Sequence, residues 1–233
     1  MLVALGWLGH ARADDPKAAA PAGTDQYEVR RIEGWNVLVR KALLEDHPEL
    51  ADRTLTLLGH QLYQVVRRVP PEALEKLRTI RIWVEENDPH HPCMAYHPDP
   101  GWLREHGMNP DKARCVELAN AHKFLAWTHD QPWMVLHELA HGYHDQFVKD
   151  GFDNAEVKAA HQSALEAKTY DKVLRISGKN EIAYAAKNPM EFFAESSEAF
   201  FGTNDFYPFV RSELKAHDPE MFALLEKLWK NPR

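Results

Sequence analysis

No apolar run in this chain approaches the roughly 18 residues that a membrane span requires, so no spanning helix is expected among its 233 residues. Basic charge is also scarce. Lysine and arginine number 28 against 35 aspartates and glutamates, a formal net charge of -7. A nucleic-acid binder normally carries a basic surface, so no nucleic-acid partner is expected. The net charge leaves the substrate open, because a local field can oppose the global one. Cysteine is nearly absent: Cys93 and Cys115 are the only two. They fit one disulfide in an exported protein, or two reduced and partly buried thiols. The bridge is the expectation, and it rests on export. There is no internal repeat.

What remains is enough for one folded domain or two tightly joined lobes. Hydrophobic residues make up 44 % of the chain, enough to build a core, and the mean hydropathy is -0.53. Leu2 to Leu8 is largely apolar, and Ala11-Arg12-Ala13 has the small-x-small form of a signal-peptidase site, although no basic stretch precedes it. Residues 1–13 are therefore expected to be a signal peptide, and the protein to be secreted or periplasmic. Residues 14–26, Ala- and Pro-rich from Ala18 to Gly23, read as a flexible spacer. The folded domain is expected over 27–233.

Trp35 to Val39 has strand character. Pro48 to Val66 reads as a helix, because Leu55, Leu58, Leu62 and Val65 recur at helical spacing and Pro48 suits a first turn. A short helix follows through Leu77. Ile80, Ile82 and Val84 alternate, as in a strand with one buried face. Asp88 to Pro110, rich in Pro, Gly, Asn and His, reads as a long loop. Val116 to Ala119 is a further strand candidate, and Gln131 to Phe147 and Ala155 to Ala167 are helix candidates. Val173 to Ile176 and Glu181 to Tyr184 flank a turn and read as a hairpin. Asn188-Pro189 opens a helix to about Phe201. Two more helices start near Tyr207-Pro208 and Asp218-Pro219, the last with Phe222, Leu225 and Trp229 on one face. Strands early and helices late predict an α+β fold.

His137-Glu138-Leu139-Ala140-His141 is an H-E-x-x-H motif. On a helix, positions four apart share a face, so both imidazoles reach one ion. Glu138 lies about 100° round the helix, where it can approach a metal-bound water without ligating. Two histidines and a carboxylate make a catalytic zinc site with an open fourth position. The third ligand decides the class. A metzincin needs glycine three positions after His141 and histidine six after; His144 and Phe147 stand there. The better candidate is a glutamate of the second helix. Glu191 is expected to ligate Zn2+, and Glu195, one turn on, to orient a ligand histidine from behind. The competing reading makes Glu191 the N3 residue of a capping box behind Asn188 and Pro189. His144 reads as a helix-flank residue, Asp145 as either a surface charge or a supporting partner, and the aromatic run from Phe192 to Phe209 as core.

Tyr184 precedes Glu191 by seven residues, and Glu191 opens the segment Glu-Phe-Phe-Ala-Glu. In these two segments, about a fifth of the chain, the sequence resembles the catalytic domain of anthrax toxin lethal factor and its relatives, which are gluzincin metallopeptidases. There too an H-E-x-x-H helix is followed by a tyrosine and, seven residues later, by the ligand glutamate. The resemblance implies a zincin-like fold, a small mixed sheet with an active-site helix and a mostly helical C-terminal lobe. It implies Zn2+ on His137, His141 and Glu191, Glu138 as general base, and Tyr184 beside the scissile carbonyl. Substrate would lie along an edge strand, for which Cys115 to Asn120 is the candidate. The chain also resembles bacterial secreted proteins classed as metallopeptidases, a label that carries no substrate. Toxin activity is not implied.

The expected function is hydrolysis of peptide bonds in a peptide or protein substrate. The alternatives are an inactive binding protein on a zincin frame and a zinc amidase acting on small or cell-wall amides. An intact Glu138 favours an enzyme, since a pure binder needs no base beside the water. His90, His91, Cys93 and His97 could hold a second metal, but neighbouring prolines and the expected Cys93–Cys115 pairing make a plain loop the better reading.

Overall fold

The computed structural model describes residues 21–230. The expected signal peptide, and residues 14–20 of the expected spacer, lie outside the described residues. The end of that spacer is tied to the domain: Thr24–Gln26 forms one 3-10 turn, and Asn109 Nδ2 donates to the Ala22 carbonyl at 2.9 Å.

The chain is α+β, as its pattern predicts. It begins with strands β1 (Tyr27–Ile32) and β2 (Trp35–Arg40), then helices α1 (Lys41–Asp46), α2 (Pro48–Arg68) and α3 (Pro71–Leu77). Strand β3 (Ile82–Val84), strand β4 (Met94–His97), helix α4 (Pro100–Glu105), strand β5 (Cys115–Leu118) and helix α5 (Ala121–Trp127) follow. The rest is helical apart from one hairpin: α6 (Met134–Phe147), α7 (Ala155–Glu166), β6 (Val173–Leu174), β7 (Asn180–Glu181), α8 (Pro189–Phe201), α9 (Arg211–His217) and α10 (Pro219–Lys230).

Five strands form one mixed sheet in the order β1-β2-β3-β5-β4. β2, β3 and β5 run parallel; β1 and β4 are the antiparallel edges. Three expectations change here. Asp88 to Pro110 is not plain loop, since it contributes β4 and α4. Its polar, Pro-rich composition belongs to the turns around two short elements. β3 buries both faces, not one: Trp83 is fully buried against Tyr27 on the far side of the sheet. And Cys115 to Asn120 is not an edge, because β5 lies between β3 and β4. The free edge on that side is β4.

Strand alternation divides the core. Val116 and Leu118 face the main hydrophobic cluster with the helices, while Cys115 joins Tyr27, Leu38 and Trp83 in a small cluster on the other face. Cys93 belongs to the main cluster and Cys115 to the small one. Both thiols are free. Cys93 abuts the Met94–Leu118 end of the ladder and Cys115 faces His97 at the other. That separation is about 13 Å along the strands at roughly 3.3 Å per residue, beyond the reach of a disulfide. The expected bridge is thereby corrected.

Helix α6 crosses close under the sheet. A side chain at Gly142 would lie 2.7 Å from Ile80 and 3.0 Å from the Tyr96 ring, so only glycine lets the helix approach β4 this nearly. Helix α8 is buried from Phe192 to Phe201, including Glu195, Ser196, Ser197 and Glu198. It packs on α6, and α10 closes it from behind. Phe222, Leu225 and Trp229 all turn inward. Trp229 stacks on Tyr143 at 4.0 Å and donates from Nε1 to Ser197 Oγ at 3.1 Å. The expected C-terminal hairpin is short, and Tyr184 lies beyond it, in a 3-10 turn (Tyr184–Ala186) rather than a strand.

Candidate metal centre

His137 and His141 stand one turn apart on α6, and Glu191 reaches them from the first turn of α8. The three nearest donor atoms form an almost equilateral triangle. His137 Nε2 is 3.1 Å from His141 Nε2, and each nitrogen is 3.2 Å from Glu191 Oε2. Four donors placed tetrahedrally at about 2.0–2.1 Å from zinc stand about 3.3–3.4 Å apart, so the triangle matches three corners of such a shell. The side chains are 12 %, 13 % and 14 % exposed, so the triangle meets solvent over a small part of its surface.

The N-terminus of α8 bears on both readings of Glu191. Asn188 caps the helix, its Oδ1 accepting from the Glu191 backbone N–H at 2.9 Å. The Glu191 carboxylate does not fold back to complete a capping box; it turns to the histidines. Burial alone would raise its pKa, but hydrogen bonds to His137 and His141 outweigh burial and hold the carboxyl well below the usual range. Burial likewise opposes charge on His137, and Glu191 and Glu198 overcome it, lifting the imidazole well above its ordinary value. Two imidazoles around a carboxylate thus favour a positive charge at their centre, a proton or a metal ion.

Behind His137 stands a residue that the sequence reading missed. Glu198 Oε1 is 2.7 Å from His137 Nδ1, whereas Glu195 Oε1, the expected partner, is 3.6 Å away. Glu198 lies seven residues after Glu191, on the same helical face as Glu195, so the periodicity that nominated Glu195 nominates Glu198 equally. Both are at least 95 % buried. Burial raises both carboxyls above the usual carboxylate range, Glu195 further through the charge of Glu198. A carboxylate on Nδ1 fixes the tautomer and leaves Nε2 for a metal.

Glu138 points out of the triangle towards the sheet. Its Oε2 accepts from the Tyr96 backbone N–H of β4 at 2.8 Å. The Tyr96 hydroxyl donates to Asp145 Oδ2 at 2.6 Å and accepts from Gln146 Nε2 at 3.0 Å. Asp145, whose role the sequence left open, therefore clamps α6 to the edge strand. His144 is fully buried and packs against Phe193 and Phe152. Burial, then His141, lowers it to about 3. It is a neutral core residue, not a ligand.

Tyr184 stands at the mouth of the site, 41 % exposed. Its hydroxyl oxygen accepts from Lys187 Nζ at 2.6 Å, and that ammonium lies 3.8 Å from Glu191 Oε1. Lys187 thus bridges the tyrosine and the Glu191 carboxylate, a role with no signal in the sequence. Of the expected aromatic core, Phe192, Phe193, Phe200, Phe201 and Phe206 are buried, while Tyr207 and Phe209 are only half-buried.

The chain matches no protein-family profile, no curated protein and no solved structure. Its chemistry must be argued from the site itself.

Proposed function

We propose that the protein is a zinc-dependent metallopeptidase of the gluzincin kind with a zincin-like fold. His137, His141 and Glu191 hold the ion, and Glu138 is the general base. The observation that carries the reading is the donor triangle of 3.1–3.2 Å, partly exposed and built on the helix that also carries Glu138. When bound there, Zn2+ supplies Lewis acidity that acidifies a coordinated water and polarises a carbonyl.

The remaining work falls to the chain. Glu138, held by the Tyr96 N–H, takes the proton of the attacking water at its carboxylate and passes it to the leaving amine. Because Lys187 donates to the oxygen of Tyr184, the Tyr184 O–H is free to donate in turn. It stabilises the negative charge developing on the carbonyl oxygen. The edge strand β4 offers backbone to an extended peptide, which adds as a further strand. This mode binds main chain and implies little sequence preference by itself. Export, with no disulfide to support it, rests on residues 1–13 alone.

The test compares zinc-loaded parent protein with Glu138→Gln on a mixed peptide library. The variant is expected to keep its zinc and to cleave about 10²–10⁴-fold more slowly. Equal cleavage by the two proteins would sink the assignment of the base, and no cleavage by the parent would return the chain to a binding role.

A further inference from the structure

A second group of metal-type donors lies on the opposite face of the sheet. Glu117 stands on β5 between Val116 and Leu118, which face the helices, so it points the other way. There His97 Nε2, from β4, is 2.6 Å from Glu117 Oε2, and both side chains are nearly inaccessible. His91, in the loop before β4, places its ring 4.9 Å from that of His97. One ligand atom from each of His91, His97 and Glu117 can be chosen so that all three lie within 4.8 Å of one another. The hydrogen bonds of the cluster account for His97 and Glu117 but not for His91, whose Nε2 is buried without a partner.

The charges around this group do not balance. Lys112 Nζ lies 2.8 Å from Glu85 and 3.6 Å from Asp88, and contacts Glu117. Three carboxylates thus surround one buried ammonium, with His90 Nδ1 also 2.6 Å from Asp88, so a divalent ion would add positive charge where carboxylates outnumber lysine. The loop is already held near this position, since Asp88 N–H donates to the Ala119 carbonyl at 2.6 Å and Asn120 Nδ2 to Asn87 Oδ1 at 2.6 Å.

We propose that His91, His97 and Glu117 form a second divalent-metal site, structural in role, that staples the loop before β4 to the sheet. Two imidazoles and one carboxylate suit zinc or a neighbouring first-row ion better than calcium or magnesium, which prefer all-oxygen shells. His91 moves inward by about an ångström to close the site, as the usual 2.0–2.2 Å bond lengths require. The ion then ties together a loop, an edge strand and an inner strand, and so steadies Tyr96, the residue whose N–H holds Glu138. The site is independent of the first and uses none of its residues.

Metal content after dialysis against Zn2+ and removal of free ion tests it, in the parent, Glu191→Ala, His91→Gln and the double variant. His91 is partly exposed, so its replacement leaves the core intact, and melting curves without metal verify this. The expected zinc content is two equivalents in the parent, one in each single variant and none in the double. In the Glu191→Ala background, zinc is expected to raise the melting temperature, and His91→Gln to abolish that rise. One equivalent that is lost on Glu191→Ala and kept on His91→Gln would overturn this site and leave the first standing. One equivalent lost only on His91→Gln would uphold this site and remove the first. Zinc content unaffected by His91→Gln, or no zinc in the parent, would also overturn it.

Discussion

Two histidine–glutamate clusters share one sheet, one on each face, and they differ in what surrounds them. Beneath the sheet, the triangle of His137, His141 and Glu191 is partly exposed. The ammonium of Lys187, 44 % exposed, stands 3.8 Å from Glu191. Above the sheet, Glu117 is fully buried and Lys112 lies in direct contact with it. The same residue types therefore sit in different surroundings. Energetically the contrast is between a charge that water can still screen and one that it cannot.

That contrast predicts unequal costs for removing the two lysines. Lys112→Met leaves buried carboxylates without their counter-charge, and unfolding free energy is expected to fall by about 3–5 kcal/mol. Lys187→Met, at the exposed mouth, is expected to cost no more than about 1 kcal/mol. Denaturant melts of the two variants check this, and equal costs would erase the distinction between the faces.

Tyr184→Phe removes a donor at the open site and nothing from the fold. Its kcat is expected to drop about 10²–10³-fold, with zinc content and melting temperature unchanged. An unaltered kcat would leave Tyr184 as a surface residue. Smaller still is the effect of the carboxylates behind His137. Glu198→Gln is expected to weaken zinc binding about 10–100-fold, and Glu195→Gln, whose oxygen lies 3.6 Å from His137 Nδ1, by less. Competition with a chelator ranks the two, and the reverse order would restore Glu195 as the orienting residue. The smallest expected effect is none. Cys93 and Cys115 are free and on opposite faces, so dithiothreitol should not move the melting temperature; a fall on reduction would reinstate the bridge.

How much of each cluster the sequence reveals follows from where its donors lie on the chain. His137, Glu138 and His141 share one turn of helix, so their spacing alone brings them together. Glu191 was reachable because Asn188 and Pro189 mark the start of its helix and fix which way it faces. Glu198 obeys the same helical period and was passed over in favour of Glu195, which is nearer in sequence. The other cluster draws His91 from a loop, His97 from β4, Glu117 from β5 and Lys112 from a turn. No local period links them, and only the pairing of β4 with β5 makes them neighbours. Strand order failed for the same reason. β5 precedes α6 more closely in the chain, yet β4 pairs outside it and becomes the edge. The helices were better marked, because α2, α8 and α10 each carry proline in the first turn and, in α2 and α10, an apolar stripe at helical spacing.

The central claim is that one ion binds between α6 and α8. The most direct measurement is an anomalous difference map, recorded at the zinc edge, from crystals of the protein grown with Zn2+. The account predicts a peak about 2.0–2.2 Å from His137 Nε2, His141 Nε2 and a Glu191 carboxylate oxygen. Zinc that binds His137 and His141 while Glu191 stays a bystander, or no peak between the two helices, would contradict it.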